Sequence, residues 1–173
     1  MSEVLIGVDP GKTGAMAMRV GTEILIFDFE NPLGVMKLRE LRDQGFEMHA
    51  VIEKVNSMPK QGIVSAFNFG MNFGLWQGIM KTLMIPYDLI VPLKWQNEMF
   101  DFQPIKRVGI KPAQWSAMRK KFSLERAKNL YPEKMGELAR VKDHNRADAL
   151  LIMGYCERKY GKDKALENEF DFL

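Results

Sequence analysis

The first thirty residues constrain the fold more than any other stretch. "EVLIGVD", "AMAMRV" and "EILIFDF" are short apolar runs separated only by glycine-bearing turns. Runs of this length joined this tightly read as a meander of antiparallel strands over 3–8, 15–20 and 23–29. The pattern then alternates. In "NPLGVMKLRELRDQG", Leu33, Met36, Leu38 and Leu41 fall at helical spacing, with Asn31 as cap, Pro32 at the first position and Gly45 as stop. "HAVIEKV" (49–55) reads as a strand, about 62–84 as a long helix, "IPYDLIVP" as a strand and "LKWQNEMF" as the start of a helix. Residues 101–112 read as an irregular loop and about 113–130 as a helix interrupted at Pro132. "KDHN" is a break, after which Ala147, Leu150, Leu151, Gly154 and Tyr155 mark one face of a final helix. Hairpin-linked strands followed by strands separated by helices predict one mixed α/β sheet with an antiparallel edge and helical crossovers.

The segment "IGVDPGKTG" (6–14) has the look of a phosphate loop, but its spacing is wrong. Gly7 and Gly11 enclose Val8, Asp9 and Pro10, one residue short of that motif, and the position that should be glycine is Ile6. A phosphate loop also opens a helix, whereas here a strand follows. Another reason is needed for an aspartate at the end of an apolar strand.

Composition limits what that reason can be. A chain of 173 residues is one domain of ordinary globular composition. It has no apolar run near the ~20 residues of a membrane span, and "MSEVLIGVD" has no secretory pattern. A lone cysteine, Cys156, suits a reducing compartment, so a cytoplasmic location is expected. One cysteine and two histidines make a structural zinc site a poor fit. A metal would be held by carboxylates, which favours magnesium or manganese.

Three acids interrupt apolar elements. Asp9 ends the first strand, Glu53 lies within "AVIEKV", and Asp148 lies near the start of the last helix. Each has an ordinary reading when taken alone. "DPG" is good turn chemistry, Glu53 suits the solvent side of an edge strand, and Asp148 with Asn145 suits a cap-like pair. Together they point to one cluster. Neighbouring strands can set Asp9 beside Glu53, and the last helix need only bring its N-terminus over them. Crowded carboxylates repel, and a divalent cation is the usual remedy.

The surface chemistry points the same way. The net charge is only +3, yet residues 105–128 carry Lys106, Arg107, Lys111, Arg119, Lys120, Lys121, Arg126 and Lys128 against Glu125 alone. That is either a solvated helix face or a surface for a polyanion. Lys12, Lys60, Lys94, Lys120 and Lys121 are the candidate phosphate contacts. Gly70, Gly74 and Gly78 recur every four residues in the long helix. Glycine there costs up to about 1 kcal/mol per site, so close approach is expected, by the sheet first and by a partner subunit second. Phe67, Phe69, Phe73 and Trp76 are read as core. The acidic end, 161–173, is read as a flexible tail beyond a domain of residues 1–160.

"GVDPGKTGAMA", "AVIEKVNSMPKQG", "FNFGMNFGLWQGI", "IPYDLIVPLKWQ" and "KDHNRADALLI", in this order, resemble the RuvC-type Holliday junction resolvases of the ribonuclease H-like superfamily. The branch common in bacteriophages and organelles is the nearest in pattern, and the likeness spans about residues 4–157. It implies a five-stranded sheet of order 3-2-1-4-5 with the first three strands antiparallel. It also implies carboxylate-bound magnesium or manganese, usually two ions, and a homodimer that nicks symmetry-related strands of a four-way DNA junction, in the host cytoplasm if the source is a phage. Asp9, Glu53 and Asp148 fall on the first, second and last catalytic acids. Many relatives carry an acid or histidine three residues before the last one, where this chain has Asn145. Five helical residues turn by about 500°, so Asp143 would ligate only from ahead of the helix. Asp143 is the first choice for the fourth ligand and His144 the second.

Other functions compete. A ribonuclease H-like enzyme could cut RNA in hybrids. A sugar-kinase or actin-like ATPase needs two such domains around its nucleotide, more than 173 residues provide. A non-catalytic junction-binding protein would have no need of the three acids.

Overall fold

The antiparallel meander forms where the sequence predicts it. In the computed structural model, which describes residues 3–11, 13–54, 62–100 and 109–161, β1 (Glu3–Asp9), β2 (Ala15–Val20) and β3 (Glu23–Asp28) pair in turn. Their registers include Val4↔Val20 and Ala15↔Asp28. Beyond β3 come α1 (Pro32–Asp43), β4 (Glu47–Glu53), α2 (Ile63–Thr82), β5 (Tyr87–Ile90) and α3 (Pro92–Met99). After these, α4 (Pro112–Leu130) is followed by short 3-10 turns at Pro132–Leu138 and Val141–Asp143, and then by α5 (His144–Tyr160). The sheet order is β3-β2-β1-β4-β5, with β4 parallel to β1 and to β5. Asn31 caps α1 through its side chain, which accepts from the Leu33 amide at 3.0 Å, ahead of Pro32. Lys12, Lys60, most of the 101–112 loop and all but Gly161 of the expected tail lie outside the described residues.

Strand alternation divides the core into two layers. On one face Val4, Ile6, Val8, Ala50 and Ile52 pack with Leu38 and Leu41 of α1 and with Trp76 and Met80 of α2. On the other, Leu5 and Val51 pack with Trp95, Leu124 and the buried stripe of α5. Burial on both faces explains why β1 is apolar almost throughout. Helix α5 lies directly on β1, and Gly7 makes that possible: a methyl group there would overlap the backbone of Met153 and Ala149.

Helix α2 departs from expectation. Gly70, Gly74 and Gly78 do not meet the sheet; all are exposed, and an added methyl at any of them would touch none of the described residues within 4 Å. The sheet is met by a different row, Trp76, Met80 and Leu83. Of the aromatics read as core, Trp76 is buried and Phe73 is partly buried against the same core layer, but Phe67 is 67% exposed. Phe69 lines a cleft instead. Apolar composition alone does not say which row of a helix faces inward. Among the described residues no helix is long and apolar enough to cross a membrane.

Candidate active site

Asp9 and Glu53 are the last residues of β1 and β4, which run parallel. The register ends at Val8↔Ile52, so the two acids take the next, adjacent positions. Each has the parity of Leu5 and Val51 and so points to the face that α5 covers. Asp148 enters from the start of α5. Between β1 and β2 the chain turns tightly enough that a side chain at Gly14 would overlap the Asp9 carbonyl.

Each carboxylate is held by its own donor. The Gly11 amide donates to Asp9 Oδ1 at 3.0 Å. The Trp95 indole donates to Glu53 Oε2 at 3.2 Å. The Ser123 hydroxyl donates to Asp148, whose Oδ1 is buried and has no hydrogen-bond partner among the described residues. Among the described residues, none is matched by a cation in direct contact. Burial raises all three above the ordinary carboxylate range, and mutual repulsion adds to it. Asp9 is raised chiefly by burial, offset by the Gly11 amide and Lys120. Asp148 is raised by burial and then by the charge of Asp9. Glu53 is pushed to about 8 by burial and then by Asp9 and Asp148, against the Trp95 indole and Arg119.

Asp9 and Asp148 line a cleft of about 380 Å³ with His144 and with Trp115, Arg119, Lys120 and Ser123 from α4, whereas Glu53 is not part of its lining. Phe69 of α2 closes another side. The His144 ring contributes a further feature. Its Nδ1 lies 3.2 Å from the Val141 carbonyl, which can only accept, so Nδ1 carries the proton and Nε2 keeps its lone pair. Burial and then Lys120 lower its pKa, which favours the neutral ring.

Asp143 is placed differently. It is buried, and it accepts from the Arg140 amide at 2.8 Å and from the Arg140 guanidinium at 2.9 Å. It lines a separate pocket with Asp28, Arg140 and Arg146. Asn145, read as a cap partner of Asp148, instead donates to Thr13. Lys120 is in the cleft, whereas Lys121 is exposed and pairs with Glu125 at 3.8 Å, and Lys94 is exposed on α3. Arg119 belongs to the basic run over 105–128, whereas the sequence singles out neither Ser123 nor Trp115. The available signal was that 115, 116, 119, 120 and 123 share one face of α4.

The chemistry of this donor set fits a hard divalent cation: oxygen ligands, excess negative charge and an orphaned buried oxygen. The side chains do not converge into a finished shell. Among the described residues no group of three His, Cys, Asp or Glu is close enough to hold a metal ion. With each carboxylate drawn to its own donor, they share a neighbourhood and an electrostatic field.

By sequence, no protein-family model matches the chain and no curated protein does. Solved structures do. That of Thermus thermophilus RuvC matches with TM-score 0.50 and 14% identity, over 91% of this chain and 96% of that one. The same protein in complex with a Holliday junction substrate matches with TM-score 0.47 and 14% identity over the same shares. The chain has the RuvC fold. Its sheet order is the one expected of a RuvC-like protein, and at this identity the likeness speaks for the fold alone.

Proposed function

We propose that this protein is a metal-dependent, structure-selective endodeoxyribonuclease that resolves four-way or branched DNA junctions by paired, symmetric nicks. The observation that carries the proposal is the set of three partly or fully buried carboxylates, raised by burial and by one another: Asp9 and Glu53 at the ends of adjacent parallel strands, and Asp148 on the helix that covers them. Asp9, Glu53 and Asp148 would hold magnesium or manganese, with two ions per site as the working number. Bound there, such ions lower the pKa of an attacking water and stabilise the departing 3′ oxygen, leaving a 5′ phosphate and a 3′ hydroxyl.

The chain's own residues supply the rest. Arg119 and Lys120 face the cleft with charges suited to phosphate oxygens; Lys12, Lys60, Lys94 and Lys121 would serve the DNA farther from the cut. His144 is a better fourth ligand than Asp143. Its Nδ1–H is already committed to a backbone carbonyl, the arrangement usual for a metal-binding imidazole, while Asp143 is committed to Arg140.

A homodimer belongs to the same reading. Symmetric nicking needs two sites, and α2 offers a face for a second copy. Ile63, Phe67, Met71 and Leu75 are all more than half exposed at four-residue spacing, beside the open glycine row. The helix carries no acid, and its lone basic residue is Lys81 near its end. An uncharged, apolar face is best matched by its own copy.

The test is incubation with a synthetic four-way junction, with magnesium or with chelator, beside linear duplex and RNA–DNA hybrid. Symmetric cuts in the junction alone, abolished by chelator, are expected. Cleavage of the hybrid instead would move the protein to the ribonuclease reading, and binding without cleavage to the non-catalytic one.

A further inference from the structure

The turn that carries Asp9 is fastened from two sides. Within it, the Gly14 amide donates to the Gly11 carbonyl at 2.9 Å and the Gly11 amide to Asp9 Oδ1 at 3.0 Å. From α2, the Asn72 side-chain amide donates to the Gly11 carbonyl at 3.2 Å. From the first turn of α5, Asn145 Nδ2 donates to the Thr13 carbonyl at 2.7 Å and to Thr13 Oγ1 at 2.6 Å. These helices cover opposite faces of the sheet, so the turn is gripped between them. Both carbonyls can only accept. Each cross-link from a helix to the turn therefore needs a side-chain N–H, which asparagine supplies and an isosteric aspartate does not.

We propose that Asn72 and Asn145 are positioning residues that hold the Asp9 turn in its working shape before a cation arrives. The proposal rests on the reading of Asp9 as a metal ligand. A ligand already ordered by its surroundings costs less to bind against than one the ion must order itself. The clamp also accounts for an amide at position 145, in the cleft that carries Asp9 and Asp148. With its donor spent on Thr13, Asn145 fixes the neighbouring strand's ligand and does not act as a fourth acid.

The test uses the full-length chain, with manganese chloride as the probe. The variants are Asn145→Asp, Asn145→Ala and Asn72→Ala, with Thr13→Ala, which removes only the hydroxyl acceptor, as a mild control should the others fold poorly. Three quantities are measured: the manganese concentration that gives half of the metal-induced rise in Tm, kcat and KM on a four-way junction, and hydrogen exchange at the Gly14 amide. Asn145→Asp and Asn145→Ala should each raise the manganese requirement about tenfold, as loss of an outer hydrogen bond to a metal site does. They should lower kcat with KM unchanged and speed exchange at Gly14. Asn72→Ala should act in the same direction but less strongly. Tighter manganese binding by Asn145→Asp would make position 145 a ligand and overturn the clamp, as would variants whose exchange and manganese requirement match the parent. If the parent neither takes up manganese nor cuts DNA, the nuclease reading falls separately. Exchange at Gly14 then decides the clamp alone: faster in the variants upholds it, unchanged overturns it.

Discussion

Two groups of carboxylates flank the N-terminus of α5, and they are opposites. In one, Asp28 and Asp143 face Arg146 and Arg140. Arg146 Nε donates to Asp28 Oδ1 at 2.7 Å and Arg140 to Asp143 at 2.9 Å. Hydrogen bonding to the guanidinium holds Asp28 below the ordinary carboxylate range, and for Asp143 the bonds from Arg140 outweigh burial to the same effect. In the other, Asp9, Glu53 and Asp148 have, among the described residues, only neutral donors in contact, and lie above that range. The first group is complete within the chain and holds the fold together. The second is incomplete, and acids kept crowded without counter-charges are where an outside cation would bind. Proximity to the helix end does not separate the two roles; the nature of each acid's partner does.

The contrast can be broken most directly by neutralising one acid from each group. Asp9→Asn should lower junction cleavage by at least about 1,000-fold, equivalent to about 4 kcal/mol, with junction binding largely kept. Asp28→Asn should leave cleavage within about tenfold. Comparable losses in a gel-based cleavage assay would erase the distinction.

The groups should also respond to pH in opposite directions. Asp9, Glu53 and Asp148 bind protons more tightly folded than unfolded. Their stabilising contribution is full below the ordinary carboxylate pKa and is lost as pH rises toward about 8, the value for Glu53. Asp28 and Asp143 bind protons less tightly when folded, so their contribution is present above the ordinary pKa and is lost as acid approaches their lowered values. Metal-free protein should thus lose on the order of 2–3 kcal/mol between pH 5 and pH 8, and manganese should restore it at pH 8. Melting curves across pH, with and without the ion, measure this. A Tm flat over that range would remove the electrostatic basis of the site.

A finer comparison separates the two adjacent residues at the helix start. His144→Ala should raise the manganese requirement about 10- to 100-fold. Asp143→Asn should leave it unchanged and lower Tm by about 2–4 °C. The reverse pattern in a manganese titration would restore Asp143 as the ligand. The smallest effect should separate neighbouring lysines. Lys120→Ala should weaken junction binding and reduce its salt slope by about 1, while Lys121→Ala, whose ammonium faces Glu125, should change the slope by less. Binding measured over a salt series tests this pair.

Much of this was legible in the chain, and the reason is local. The β1–β3 meander follows from apolar runs too closely spaced for anything but hairpins. The common direction of Asp9 and Glu53 follows from strand parity once β1 and β4 are neighbours. What was not legible depends on the rotation of a helix about its axis. "KDHN" presents Asp143, His144 and Asn145 as interchangeable candidates. Their directions were set by a 3-10 turn ending at Asp143, by Arg140 arriving to pair with it and by Thr13 arriving from the β1–β2 turn. The glycine row of α2 was misread for the same reason, since Trp76 and Met80 claimed the inward face.

The sequence by itself therefore determined the strands, their parity and the presence of acids at strand ends, because these rest on spacing along the chain and on the two-residue repeat of an extended backbone. Only the tertiary structure decided which polar side chains at the start of α5 meet the cleft, which row of α2 remains bare and which acids find a guanidinium. Those outcomes turn on particular pairings of side chains, some between residues more than a hundred positions apart, such as Arg146 with Asp28 and Asn145 with Thr13, and such pairings leave no periodic trace in the sequence.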